Sequence, residues 1–435
     1  MKNLTVKLFY CSIVLLLIAN FSFAQNPPPA PKQTELILIE GGTLHVGNGQ
    51  VIENAVVAFI NGKIIYAGDV KGKDNIKDLK LYKVIDAKGK HIYPGIIALN
   101  STIGLTEIDL VRSTRDYYET GDMNPNVRAV ISYNTDSKII PTVRSNGVLL
   151  AEATPQGGTI SGTSSVMMLD AWNWEDAVYK EEAGIHMNWP RMTMSRGQSP
   201  DDEAKQRENM NKALSGIRQF FSEAKVYSKQ NPEEKNLRFE AMKGLFDGSK
   251  KLFVHCGFIK EIIAAVNFCK ELGIKMVLVG GADSWRVTDL LKENNVPVVL
   301  VRTHLLPPRE DEDVDLPYKL PYLLTKAGVM VCITDGGSWP MRNIPFQAGT
   351  ASAYGLTKEE ALSCITLNPA KVLGIDSTTG TIETGKDATL FISSGDALDM
   401  KTNNVEYAFI QGRQIVLDDV QKQLYRKYMK KYGLN

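Results

Sequence analysis

From Lys251 onward the chain alternates short apolar runs with amphipathic stretches, and this constrains the fold more than any other feature. KLFVHC reads as a buried strand. FIKEIIAAVNFCKELG follows it, with Ile259, Ile262, Ile263, Val266 and Cys269 on one helical face and Gly273 as a stop. KMVLVGG, VPVVLVRTH and VMVCITDGG are further strands, separated by the helical stretches DSWRVTDLLKENN and LPYLLTKAG. Strands that alternate with helices require right-handed crossovers and a parallel sheet. Their near-continuous apolar character fits a sheet covered on both faces. The reading is an α/β fold, a (β/α)8 TIM-like barrel, with an open doubly wound sheet as the alternative.

In such a barrel the chemistry lies where strands end. Those ends carry His255, Gly280, Arg302 with His304, and Asp335. Side chains alternate along a strand. His255 therefore shares a face with Phe253, and Asp335 shares one with Val331 and Ile333. A His and an Asp at the inner ends of two strands are polar groups that need partners.

The two chain ends have a different character. TELILIEGGTLHVGNGQVIENAVVAFINGKIIYAGD and TGTIETGKDATLFISSGDALDM are short strands broken by Gly-rich turns. They are expected to pair into one small β-sandwich, residues 34–93 with 376–435, beside a barrel at 94–375. His45 within it reads as structural, as does His186 in GIHMNWP. Residues 199–250, opened by SPDDE, form a polar helical insertion or a pair of outer helices. GVLLAEATP is a strand carrying Glu152, and SSVMMLDAW is another. QGGTISGTSS lacks the Gly-Lys-Ser/Thr ending of a phosphate cradle and reads as a plain loop. RNIPFQAG and WNWED stay unassigned.

Residues 1–24 have Lys2 and Lys7, an apolar run, then Ser22-Phe23-Ala24, the pattern of a secretory signal cut after Ala24. Residues 25–33, Pro-rich, read as a flexible leader. Export is expected, with the periplasm as the destination and secretion as the alternative. No membrane span is expected after signal removal. The remaining cysteines, Cys256, Cys269, Cys332 and Cys364, form no Cys-x-x-Cys pair and read as buried thiols, with one disulfide left open. Lys plus Arg number 50 against 49 Asp plus Glu, which argues against a nucleic-acid partner.

Across the mature chain, YPGIIALN, FVHC, ITDGG and the run GLTKEEALSCITLNPAKVLGI followed by GTIETGKDATLFI resemble the amidohydrolase superfamily, in its imidazolonepropionase-like and prolidase-like branches. The resemblance implies a barrel flanked by a broken sandwich, and hydrolysis of C–N bonds with one or two divalent metals. It implies a His-x-His pair on strand one, a carboxylated Lys or a Glu on a middle strand, a His each on strands five and six, and an Asp base on strand eight. Carried onto this chain, the strand-one pair falls on Asn100 and Thr102, the middle-strand Lys on Met168, and the strand-six His on Gly280. His255 and Asp335 match. Two ligands do not hold zinc tightly.

A trimmed zinc-like site would need Glu152 for the carboxylate and His304 for a second imidazole. Glu152 also reads as an ion-pair partner of a nearby Arg, and His304 as a solvent-facing residue of the lid HLLPPREDEDVD. Three readings follow. The first is a metal-dependent hydrolase built on Glu152, His255, His304 and Asp335. The second is a non-catalytic pseudoenzyme that binds a small-molecule or peptide-derived ligand, or pairs as a homodimer or with a metal-competent relative. The third is metal-free acid–base catalysis by His255 and Asp335.

Overall fold

The computed structural model describes residues 27–76, 81–193, 199–230 and 232–434. The signal expected at residues 1–24 lies outside them. The described chain builds two eight-stranded sheets. The first joins both chain ends. Its N-terminal strands are β1 (Leu36–His45), β2 (Val51–Ile60), β3 (Lys63–Asp69), β4 (Tyr82–Asp86) and β5 (His91–Pro94). Its C-terminal strands are β14 (Leu390–Ser393), β15 (Val405–Ile410) and β16 (Arg413–Gln414). The two sets meet where β5 pairs antiparallel with β14, Ile92 opposite Ile392. One apolar core, including Ile39, Phe59, Ile92, Leu390 and Phe409, holds the composite together.

The second sheet is the barrel wall, in the order β6 (Ile96–Ser101), β7 (Val148–Ala153), β8 (Ile160–Met168), β9 (Val178–Asn188), β10 (Lys251–Cys256), β11 (Met276–Gly280), β12 (Val298–Val301), β13 (Val331–Thr334). Its edges nearly close: the Thr334 hydroxyl donates to the Leu99 carbonyl at 2.6 Å, and the Thr102 N–H donates to the Gly337 carbonyl at 3.0 Å. The helix Ile259–Leu272 ends at Gly273 in the left-handed region, φ 76°, where the missing Cβ removes the steric cost.

Three expectations need correcting. The wall is not wholly parallel, because β8 runs antiparallel to both β7 and β9. Residues 154–159 join β7 to β8, and a parallel crossover needs about a dozen residues or more. QGGTISGTSS is accordingly not a plain loop, since from Ile160 it is strand, buried throughout. The end of the chain is not all strand and turn either: Val420–Tyr432 is a helix.

The segment at 199–250 forms two outer helices, Pro200–Tyr227 and Leu237–Phe246. The Ser199 side chain accepts from the Asp202 N–H and caps the first. Phe221 from this helix meets Phe268 edge-on at 5.1 Å. WNWED contributes a single turn, Trp174–Ala177, and RNIPFQAG leads into the helix Ile344–Ala353. The leader expected to be flexible is pinned at Ala30, which is buried. Its N–H donates to Asp170 at 2.9 Å and its carbonyl accepts from Arg413 at 3.2 Å. Cys256, Cys269, Cys332 and Cys364 are free thiols.

Candidate active site

The carboxyl ends of the parallel strands converge on two hydrogen-bonded clusters. The first begins at Glu152, fully buried on β7. One carboxylate oxygen accepts the Asn100 N–H at 2.9 Å. The other accepts the Ser164 hydroxyl at 2.7 Å and meets Nε2 of His186 at 3.1 Å. Burial alone would raise the pKa of this carboxyl. The His186 ring, the Asn100 N–H and the Ser164 hydroxyl outweigh that effect and hold it below the usual carboxylate range. The partner is thus a histidine, not the arginine considered from sequence.

His186 continues the chain. Its ring stacks on Phe253 at 4.6 Å, and its Nδ1 lies 2.9 Å from Nε2 of His255. The network dictates the tautomers. An ionised Glu152 is acceptor-only, so Nε2 of His186 carries a proton. With one proton on the His186 ring, Nδ1 is an acceptor and Nε2 of His255 donates to it; with two, Nδ1 donates and Nε2 of His255 accepts. Burial, with His186 adding, pushes the pKa of His255 down to about 3, which keeps its ring neutral at pH 7.

The second cluster surrounds Asp335, buried just beyond β13. One oxygen accepts Nε–H of Arg302 at 2.9 Å and the Gly336 N–H at 2.7 Å. The other accepts the side-chain amide of Gln347 at 2.7 Å. Gln347 is itself oriented, because its carbonyl oxygen accepts from the Thr303 N–H at 2.6 Å, the Thr303 hydroxyl at 2.7 Å and the His304 N–H at 3.1 Å. That leaves the amide NH2 directed at Asp335. Asn100 and Arg302 both adopt left-handed backbone, φ 51° and 64°. For a non-glycine residue this is strain of the kind held at functional sites.

Of the residues singled out from sequence, Glu152 and His255 come together through His186. Asp335 stands in the second cluster. His304 joins neither through its side chain, which is exposed and contacts the Thr350 hydroxyl at 2.5 Å. Met168 does not occupy a ligand position at the mouth. Because β8 is antiparallel, Met168 pairs with Leu150 at the opposite end of the barrel. Sequence reasoning missed His186, Ser164 and Gln347. His186 could have been found from alternation on a strand next to KLFVHC, since it pairs with Phe253 across β9 and β10. Gln347 carried no such signal.

The family's divalent metal is tested against these donors. Asn100 and Thr102 offer neutral oxygens in place of imidazoles. At Gly280, φ is 102° and an added Cβ would lie 2.9 Å from the Cys256 carbonyl oxygen, so a histidine fits there only if the strand moves. His255 gives one nitrogen to His186, and Asp335 faces a guanidinium. Among the described residues no group of three or more His, Cys, Asp or Glu is arranged to hold a metal ion. The donor set does not fit the group.

Known proteins agree on the fold. Residues 176–415 match the amidohydrolase family. Imidazolonepropionase of Thermoplasma volcanium is 24% identical over 383 residues, covering 82% of this chain and 89% of its own. The crystal structure of an amidohydrolase from Thermotoga maritima superposes with a TM-score of 0.76 at 26% identity, covering 87% of this chain and 99% of its own. Molinate hydrolase superposes at 0.56 with 15% identity, covering 88% and 95%, and so shows the fold alone. With more than half its length matched and both the barrel and the composite sheet in place, this chain belongs to the amidohydrolase family.

Proposed function

We propose that this protein is a binding member of the amidohydrolase superfamily, whose barrel mouth takes a small-molecule or peptide-derived ligand without metal-dependent hydrolysis of a C–N bond. One observation carries the reading. The two groups that match the family's pattern, His255 and Asp335, are each engaged by protein partners at 2.7–2.9 Å. A carboxylate that already accepts from a guanidinium, an amide NH2 and an N–H has most of its lone pairs engaged and is a poor metal ligand. The mouth keeps the means to bind. The Asn100 amide oxygen is buried without a hydrogen-bond partner among the described residues. The Arg302 side chain is 40% exposed and, among the described residues, only its Nε is engaged, leaving its terminal nitrogens as a fork for a carboxylate. A ligand bearing an amide N–H and a carboxylate would satisfy both.

Within the same proposal the protein is exported, periplasmic, and acts as a homodimer or beside a metal-competent relative. Among the described residues no helix is long and apolar enough to cross a membrane. The deciding measurement is elemental analysis of the mature protein, purified without chelator, with calorimetric titration of zinc and of dipeptides. Absence of bound metal with dipeptide binding lost in Arg302→Ala supports the proposal. Near-stoichiometric metal that drops in His255→Ala overturns it and restores the hydrolase.

A second reading is metal-free proton transfer through Glu152, His186 and His255, favoured by the unbroken hydrogen-bonded chain that joins them. Its weakness is physical: a ring held neutral by burial is a feeble base at pH 7. Turnover that persists in chelator and disappears in Glu152→Gln would establish it.

A further inference from the structure

We propose that the C-terminal helix, Val420–Tyr432, docks the protein on an anionic lipid surface. The helix lies beyond the family match, which ends at residue 415. It is tethered at its first turn. Asp419 caps it by accepting the Lys422 N–H at 2.9 Å and the Ser145 hydroxyl at 2.5 Å, and Thr142 donates to Gln421 at 2.8 Å. Beyond that turn it buries no residue.

Successive residues on a helix turn by about 100°, so Val420, Leu424, Tyr428 and Tyr432 form one stripe, with Tyr425 and Met429 beside it. The stripe is uncovered: Leu424 is 44% exposed, Tyr428 49%, Tyr432 62% and Tyr425 65%. In a helix packed on its own core these positions would be the buried ones.

The helix is also cationic, on the far side of the stripe and, at Lys431, against it, where the ammonium lies 5.9 Å from the Tyr428 ring and 5.1 Å from the Tyr432 ring. Lys422, Arg426, Lys427, Lys430 and Lys431 lie within the helix, and no Asp or Glu does. Arg426 is paired with Asp418 at 2.7 Å, and Lys422 reaches Asp419 at 4.0 Å. Lys427, Lys430 and Lys431 have no carboxylate partner among the described residues. The chain as a whole carries only +1, so this is a local concentration of charge. Tyrosine and leucine flanked by lysines is the composition of a helix that lies in a membrane interface, where the ring sits at headgroup depth and the ammonium groups meet anionic lipid. An acidic protein surface would satisfy the lysines but gives no reason for three exposed tyrosines along the stripe.

The test is co-sedimentation of the mature full chain with vesicles of phosphatidylcholine alone or mixed with phosphatidylglycerol. Binding is expected only with phosphatidylglycerol and should weaken as salt is raised. Lys427→Gln/Lys430→Gln/Lys431→Gln should weaken it by on the order of a hundredfold. Tyr428→Ser/Tyr432→Ser should weaken it about tenfold or more while leaving the salt dependence. Both variants should melt as the parent does, since the replaced side chains are exposed. Absence of vesicle binding, or equal binding to both vesicles, overturns the proposal. Loss of a light-scattering dimer in the tyrosine variant, without vesicle binding by the parent, would reassign the face to protein contact.

Discussion

Replacing Glu152 with glutamine tests the buried chain with almost no change of shape. The carboxylate accepts three hydrogen bonds, from the Asn100 N–H, the Ser164 hydroxyl and His186. Glutamine must turn one of its two ends into a donor. If the NH2 faces Asn100, two N–H groups oppose each other. If it faces His186, that ring must move its proton to Nδ1, and His255 must move its own from Nε2 to Nδ1. The first orientation leaves a buried N–H without an acceptor, at about 1–3 kcal/mol, and in both the charge-assisted bonds become ordinary ones. The expected loss is about 2–4 kcal/mol at pH 7, read as a shift of the urea midpoint by tryptophan fluorescence. The pH dependence gives a second check. The folded pKa of Glu152 is depressed, so its contribution is present above the unfolded value of about 4.3 and is lost as pH falls through the folded value. The gap between parent and variant should therefore close in acid. A loss below about 0.5 kcal/mol at pH 7, or a gap that does not change with pH, would refute the reasoning, because both follow from a buried ionised carboxylate.

Other perturbations reach different parts of the argument. His255 has a folded pKa of about 3. The unfolded chain titrates at about 6.5, so between these values it takes up a proton that the folded ring refuses, and stability falls as pH drops. His255→Gln should flatten the stability profile between about pH 6.5 and 5, above the range where Glu152 titrates, and denaturation at several pH values would show it. Gly280→His should not restore zinc binding. With φ at 102° and a Cβ 2.9 Å from a carbonyl oxygen it should instead cost about 2 kcal/mol or more, and zinc calorimetry with a thermal melt separates the two outcomes. Asp170 pairs with Arg144 at 2.5 Å and Arg413 at 2.9 Å, all three largely buried. Asp170→Ala should cost about 3–5 kcal/mol and release Ala30, seen as faster proteolysis at residues 27–33.

The strand ends at His255 and Asp335 were legible because β10, β11, β12 and β13 are short apolar runs with a helical stretch between each pair, and period alone assigns such segments. The family's motifs placed the composite sheet for a similar reason, since the strands of both chain ends keep their turn residues. Met168 was misplaced because a strand's direction is a property of its connections, not of its own residues. The length of 154–159 carries the answer, because so short a link turns the chain back on itself and cannot cross to a parallel neighbour. The tyrosine stripe at 420–432 was present in the sequence and was passed over because short strands were expected there.

By itself, then, the sequence determined the layer architecture and the absence of imidazoles at Asn100, Thr102 and Gly280, since the first rests on local periodicity and the second on the identity of a residue. What the polar groups do was decided only in three dimensions. Glu152, His186 and His255 are separated by 34 and 69 residues and become one hydrogen-bonded chain because β7, β9 and β10 bring them to the same end of the barrel, with β8 between the first two. Asp335 acquires Arg302 and Gln347 from a neighbouring strand and a following helix. Hydrogen bonds act over about 3 Å, and no periodicity in a sequence records which distant residues a barrel brings that close.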